Sequence, residues 1–413
     1  MLKLIINNIK SHLLPYALSA SVTAFLTFYL VICFNTLLSI TQSLRVAVSD
    51  NMSGHFVVVP QGQAGIEMID TSAELKNTAI PEWKKLMDWL DAHDLVAAAS
   101  PRITMNGNVR SRHNLVAVQI HGVDWTREAL LLPGRTIEAG DEPSEDGNIA
   151  MYYRHADTLS ADIDDPLGLV WFDSEGYRRF SPGVLRTRFE YDALSYYHEY
   201  AAAAFVPVNW LKNLMQSESG KTAINRIHIR LHNPEHAGKF KKEFTRKWGH
   251  LAAVLISAED TSRLVRGIGM LTLVLALLVA GILIILALVS SAFAASLLLE
   301  SRRVEIGVYQ AIGVSQNRIA GLIAGEFFLA SLAAALIGVV ASFPVMNMIS
   351  STGIRATIAP LYLVFGRPLL TISSNPWTPV FTVLLLTITF MCTVGYAVIR
   401  LGKIQAVEVL RDI

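Results

Sequence analysis

The residue groupings that can do chemistry lie between positions 46 and 266, and each lacks something its reaction needs. "SESGKT" at 217–222 resembles the end of a phosphate-binding loop, in which a Gly-rich turn cradles phosphates on backbone N–H groups. That pattern needs glycine at position 215, where Met215 stands, and a preceding strand where the pattern here is helical. His228, His232 and His236 in "IHIRLHNPEH" have zinc-ligand chemistry. On an alternating strand His228, Arg230 and His232 share the polar face, and a cation between would-be ligands predicts a solvated face instead. The carboxylates of "EDGNI" and "ADIDDP" have the composition of solvated acidic turns rather than of catalytic pairs. Neither a Gly-x-Ser-x-Gly elbow nor His-Glu-x-x-His appears. The chain is therefore expected to have no catalytic residues, no cofactor site and no metal site of its own.

What positions these groups is a membrane frame. Of 413 residues, 52% are hydrophobic and 17% charged, with a mean hydropathy of +0.40, against a charged share near ~25% in soluble chains. Positions 46–266 hold 24 Lys and Arg against 29 Asp and Glu, while the rest of the chain holds 11 against 5. With an acidic exterior block there is no basic stripe for nucleic acid. The two cysteines, Cys33 and Cys392, lie in apolar runs, so a disulfide scaffold is excluded.

Four runs lack Asp, Glu, Lys and Arg: 34 residues between Lys10 and Arg45, 33 from Gly267 to Leu299, 28 from Phe327 to Ile354 and 32 from Pro368 to Ile399. Each exceeds the ~20 residues a bilayer requires. The first is too long for a signal-peptide core and is expected to stay as an anchor. Lys3, Lys10, Arg302, Arg303, Arg318, Arg400, Lys403 and Arg411 fall on one side of these runs, against Arg355 and Arg367 in the short loop on the other. The positive-inside rule then predicts cytoplasmic termini, with residues 46–266 outside. Leu2, Ile5, Ile6, Ile9 and Leu13 at helical spacing predict an amphipathic interfacial helix over 1–12. Ser257, Glu259 and Asp260 read as the capped start of a helix running from 258 to Leu299. Such a rod is roughly 60 Å long, about twice the hydrocarbon thickness, so half of it is expected to stand outside as a stalk.

The exterior block, 46–257, reads as an α+β domain. Strands are predicted at 54–62, 102–110, 114–124 and 224–232, and helices at 81–94 and 234–249, the latter presenting Phe240, Phe244 and Trp248 and capped by Asn233. The strand at 224–232, its helix and "LAAVLIS" at 251–257 make one β-α-β unit. The stretch of about 125–200 is expected to be an inserted β-rich subdomain.

Between the second and third runs, "LLLESRRVEIGVYQAIGVSQNRIAGLIAGEF" (297–327) predicts a short helix outside the bilayer, stopped at Gly313 and followed by a new helix capped by Ser315. Glu305 meeting a basic partner surface, with Ile306 and Ile312 as apolar anchors, would make a docking handle. Arg302 and Arg303 have a rival role at anionic lipid. Glu326, eight residues past Arg318, is an intramembrane carboxylate and a functional suspect on that ground. Gly321, Gly325, Ala330, Ala334 and Gly338 form a small-residue ridge for close helix packing.

The run "ESRRVEIGVYQAIGVSQNRIAGLIAGEFFLASLAAALIGVVAS" (300–342) resembles the FtsX/MacB-type permease domain of ATP-binding-cassette (ABC) systems, and "KIQAVEVLRDI" (403–413) resembles the family's closing segment. The resemblance implies a type VII architecture: four transmembrane helices (13–45, 258–299, 319–350 and 368–400), a periplasmic α+β domain between the first two, a loop at 351–367 and a tail at 401–413. It implies a bacterial inner-membrane dimer, homo- or heteromeric, embraced by ABC ATPase subunits. With no ATP-binding domain before Met1, that ATPase, with its ATP and Mg, is expected on a separate polypeptide. The coupling helix would be 300–318, with Arg302, Arg303, Glu305, Ile306, Gly307, Ile312 and Gly313 engaging the ATPase. MacB-like export with a periplasmic adaptor or outer-membrane partner leads. Lipoprotein release, or FtsX-like regulation of an envelope hydrolase or sensor, is the alternative.

Overall fold

The computed structural model describes residues 13–63, 79–173, 176–193, 202–219, 224–261 and 263–401. The interfacial helix expected over 1–12, the closing segment 403–413 and the end of "SESGKT" lie outside these residues. In chain order the first half forms α1 (Leu13–Val48), a π-helical turn (Ser49–Ser53), β1 (Phe56–Pro60), α2 (Trp83–Asp91), β2 (Val96–Arg110), β3 (Leu115–Val123), α3 (Trp125–Leu131), β4 (Arg135–Gly140), β5 (Asn148–Tyr152), α4 (Tyr153–Leu159), β6 (Pro166–Phe172) and β7 (Arg178–Tyr191). The second half forms β8 (Ala203–Pro207), α5 (Val208–Ser219), β9 (Arg226–Leu231), α6 (Ala237–Trp248), β10 (Ala253–Ser257), α7 (Arg263–Ser301), α8 (Arg303–Ala311), α9 (Gln316–Thr352), α10 (Ala359–Phe365) and α11 (Trp377–Leu401). The chain divides into two compact units, one of residues 1–39, 270–354 and 371–413, the other of residues 40–269 and 355–370.

In the α/β unit, β1 lies between β10 and β9 and runs antiparallel to both. The β9-α6-β10 connection is thus a β-α-β unit with a strand slotted into it. Asn233 starts the helical stretch by accepting a hydrogen bond from the backbone N–H of Glu235 at 2.9 Å. The i, i+4, i+8 spacing then turns Phe240, Phe244 and Trp248 inward, where they share a core with Leu86, Met87 and Leu90 of α2.

β2 belongs to two arrangements. Its first half pairs with β9 and its second half with β3, while Asn108–Arg110 also pair with β6. From β3 the pairing passes to β8, β5, β7 and β6 and so returns to β2, closing six strands into a ring. The β-rich stretch of about 125–200 therefore contributes β5, β6 and β7 to a barrel that borrows β2, β3 and β8 from outside it, while β4 pairs with β7 beside the ring.

The helix expected from position 258 starts later. Ser257 is still a strand residue paired with Phe56, its hydroxyl donates to Asp260 at 2.7 Å, and a 3-10 turn at Ala258–Thr261 precedes α7. Ser257 and Asp260 thus mark the start of the 3-10 turn, and the α-helix itself begins at Arg263.

Three stretches among the described residues are long and apolar enough to cross a membrane: Tyr16–Ser53, Arg266–Ser301 and Arg318–Thr352. The described part of α11 adds a shorter apolar stretch, Trp377–Thr393. α1 is the shared partner: Leu26 and Leu30 pack with Leu283 and Ala287 of α7 and with Leu386 and Phe390 of α11. Against α9 the approach is closer. A Cβ on Gly338 would lie 2.3 Å from the carbonyl oxygen of Ala24, so only glycine fits this crossing.

Candidate coupling site

α8 ends where glycine was expected to stop it. Gly313 has φ +84°, its N–H donates to the Gln310 carbonyl at 3.0 Å, and the Val314 N–H reaches the Tyr309 carbonyl at 3.0 Å. This paired closure satisfies carbonyls that the helix leaves open, and the left-handed backbone explains glycine there. The chain then re-enters a helix at Ser315, whose backbone carbonyl takes the Arg318 N–H; its hydroxyl makes no cap bond.

α8 has two distinct faces. Ile306 is buried among Tyr16, Ile319, Ile323 and Phe327, and Gly307 is buried beside it. Glu305, Gly313 and Ile312 are exposed, and Val304 and Val308 join Ile312 as exposed apolar side chains. Ile306 thus packs α8 onto its own chain. The outward anchors are Val304, Val308 and Ile312, at the i, i+4, i+8 spacing that lines one helix face. The Arg303 side chain lies outside the described residues.

Arg302 turns inward too. It is 3% exposed, and its Nη1 donates to Oε2 of Glu326 at 2.7 Å; Glu326 is fully buried. The hydroxyl of Tyr16 donates to the same Oε2 at 2.5 Å. The turn before α8, the start of α1 and the first third of α9 thus meet at one carboxylate. Burial strengthens such a charge-assisted pair, and removing either partner strands a charge in low dielectric. Arg302 is therefore a buried clasp within the helical unit. Tyr16 carried no signal in the sequence beyond being a polar ring in an apolar run.

A second convergence lies in the α/β unit. Asp50, in the π-helical turn after α1, accepts from Arg230 of β9 at 3.0 Å and from Arg367 at 3.1 Å, so one carboxylate ties three separate chain segments. Ser43 donates to the Phe365 carbonyl at 2.7 Å, and Gly366, with φ +69°, packs against Leu44 and Ala47. In the sequence Arg367 stands out only as one of two basic residues in a short loop.

Beside Asp50 the sheet buries charge. The carboxylate of Glu128 accepts from Arg102 through Nε at 3.0 Å and Nη2 at 2.7 Å, from Ser100 at 2.9 Å and from Arg135 at 3.4 Å. His228 is also fully buried, which overturns its expected place on a solvated face. Consecutive residues of β9 are buried, so both of its faces are covered. The His228 Nδ1–H donates to the Ser53 carbonyl at 3.0 Å, and its Nε2 has no partner among the described residues. Burial, with Arg102 and Arg226 nearby, holds the His228 and His121 imidazoles well below their usual range, so both are neutral. Burial, with Arg102 nearby, also lowers Arg226, to about 10. Among the described residues no three His, Cys, Asp or Glu side chains gather to hold a metal.

Residues 272–406 match the family model described as FtsX-like permease C-terminal. The search of curated proteins found no match. Among solved structures, the chain is similar to the periplasmic region of MacB from Actinobacillus actinomycetemcomitans, at TM-score 0.35 and 9% identity, covering 52% of this chain and 92% of that one. It is also similar to the extracellular domain of the ABC-type transporter YknZ from Gram-positive bacteria, at TM-score 0.30 and 9% identity, covering 42% and 88%.

Proposed function

We propose that the chain, whose residues 272–406 match the FtsX-like permease C-terminal model, is a MacB-like permease that passes the motion of a separate ABC ATPase to a periplasmic α+β domain. In this reading α1, α7, α9 and α11 cross the inner membrane, the termini are cytoplasmic and residues 46–266 are periplasmic. ATP and Mg are bound by the partner, two permease chains stand side by side, and substrate is pushed outward toward a periplasmic adaptor or outer-membrane partner. The observation that carries the reading is α8. It presents Glu305, Val304, Val308 and Ile312 outward, while its inner face and the preceding Arg302 are locked to α1 and α9. A push on the outward face therefore moves spanning helices rather than a loose loop. Length supports the far end: α1 and α7 have 36 and 39 residues, about 54 and 58 Å at ~1.5 Å each, well beyond a ~30 Å hydrocarbon core.

The test is ATP hydrolysis and co-purification of the ATPase with wild-type or Glu305→Lys permease at equal levels in membranes. A reversed charge at an interface costs several kcal/mol, so both are expected to fall while insertion is unchanged. Unchanged binding and hydrolysis would remove α8 as the coupling element.

A further inference from the structure

A cavity of about 830 Å³ opens beside the second half of α9, lined by Val340, Phe343, Pro344, Met346, Asn347 and Ser350 on the helix and by Ile372, Ser373 and Ser374 opposite. We infer that it binds the acyl–glycerol portion of an uncharged membrane lipid, a mono- or diacylglycerol. This inference rests on the reading of α9 as a membrane span.

The first argument is that the far wall is preformed. The Ser373 N–H donates to the hydroxyl of Ser39 at 2.9 Å, and the Asn375 N–H donates to Oδ1 of Asn35 at 2.9 Å. Asn35 is in turn fixed through Nδ2 to the Val31 carbonyl at 2.8 Å. These bonds pin residues 373–375 to α1, so the gap is held open by structure. Its volume lies within the roughly 300–1,000 Å³ of small-molecule sites.

The second argument is a gradient of polarity along the helix axis. Val340 and Phe343, 66% and 50% exposed, continue the apolar outer surface of α9. Asn347 and Ser350, with Ser374 opposite, supply hydroxyls and an amide toward the end of α9 that leads into residues 355–370. From Val340 to Ser350 the helix rises roughly 15 Å, so an amphiphile with its chain along Val340 and Phe343 brings its polar end to Ser350.

The third argument is charge. None of the nine lining residues is charged. A phosphate would meet no Lys or Arg there, whereas ester and hydroxyl groups match what the wall offers.

The experiment uses the full-length chain in nanodiscs of phosphatidylethanolamine and phosphatidylglycerol, with a monoacylglycerol bearing a mid-chain diazirine as the probe. Labelled positions are mapped by mass spectrometry, with Leu277 and Leu278 of α7, 64% and 59% exposed, as the reference for bulk-lipid contact. Expected is saturable labelling of Val340–Ser350 that unlabelled monoacylglycerol displaces. Ser350→Trp should lower it about tenfold, equivalent to about 1.4 kcal/mol, with labelling of α7 unchanged. Displacement can be read on the wild-type chain alone, should the variant fail to fold. Non-saturable labelling equal to that of Leu277 overturns the site, as does equal displacement by phosphatidylglycerol. A crosslink between two copies of the chain through Phe343 also overturns it, since it gives the cavity to a second copy. Labelling of neither α7 nor α9 sinks the spanning reading itself, a failure distinct from the others.

Discussion

Arg302 and Glu326 stand 24 positions apart in the chain and meet at 2.7 Å, with both side chains essentially removed from solvent. Removing either alone leaves the other as an uncompensated buried charge, at a cost of about 3–5 kcal/mol. Glu326→Gln should therefore lower the melting temperature of the full-length chain in detergent strongly. The double variant Arg302→Met with Glu326→Leu should recover most of that loss. A double variant no more stable than Glu326→Gln would show that the pair is not what makes the single change costly.

Tyr16 shares that carboxylate, so Tyr16→Phe removes one hydrogen bond while keeping the ring beside Phe327. The expected loss is about 1–3 kcal/mol, as for a bond to a charged group, smaller than for Glu326→Gln. If the clasp couples α8 to the spanning helices, Tyr16→Phe should also reduce permease-dependent ATP hydrolysis without releasing the ATPase. Hydrolysis at the wild-type rate in a destabilised protein would confine Tyr16 to stability.

Asp50→Asn should loosen two segments at once, because Arg230 and Arg367 lose their common carboxylate. Hydrogen exchange is expected to rise both in β9 and in residues 355–370. Arg367→Ala should raise it in 355–370 alone. Equal effects of the two changes on β9 would contradict the hub.

Acid should weaken the α/β unit through His121 and His228. Their folded pKa values are depressed by burial, so below their ordinary value near ~6.5 the unfolded chain binds protons that the folded chain does not. Stability from these groups is then complete above that value and falls as pH drops through it, by up to one proton per histidine. His228→Asn should flatten the fall between about pH 6.5 and 5. The measurement is chemical unfolding of the unit followed by tryptophan fluorescence at several pH values. An unchanged slope would remove His228 from the acid response.

Gly338→Ala and Gly321→Ala test helix approach. A Cβ at 338 meets the Ala24 carbonyl, whereas at 321 nothing lies within 4 Å. The first should destabilise the helical unit by about 1–3 kcal/mol through overpacking. The second should be neutral or slightly stabilising, since alanine is the better helix former. Equal melting temperatures for the two variants would mean that α1 and α9 do not cross at Gly338.

The membrane runs, the glycine stop of α8 and the apolar faces of α2 and α6 were legible because each is a local property. Hydropathy, 3.6-residue periodicity and a positive φ are written into consecutive residues. Glu326 was also legible, because a carboxylate in an apolar run is anomalous wherever it lies. Its partners were not. Tyr16, Arg302 and Glu326 lie on separate helical segments, and Asp50, Arg230 and Arg367 lie up to 317 positions apart. No spacing rule links residues that only folding brings to one point. The burial of His228 follows the same logic, since an alternating strand can be covered on one face or on both. Only what packs over β9 decided which, and it covers both faces. What a stretch of chain can form is set by its own residues, but which face of it meets solvent is set by what packs against it, and that information is distributed over the whole chain.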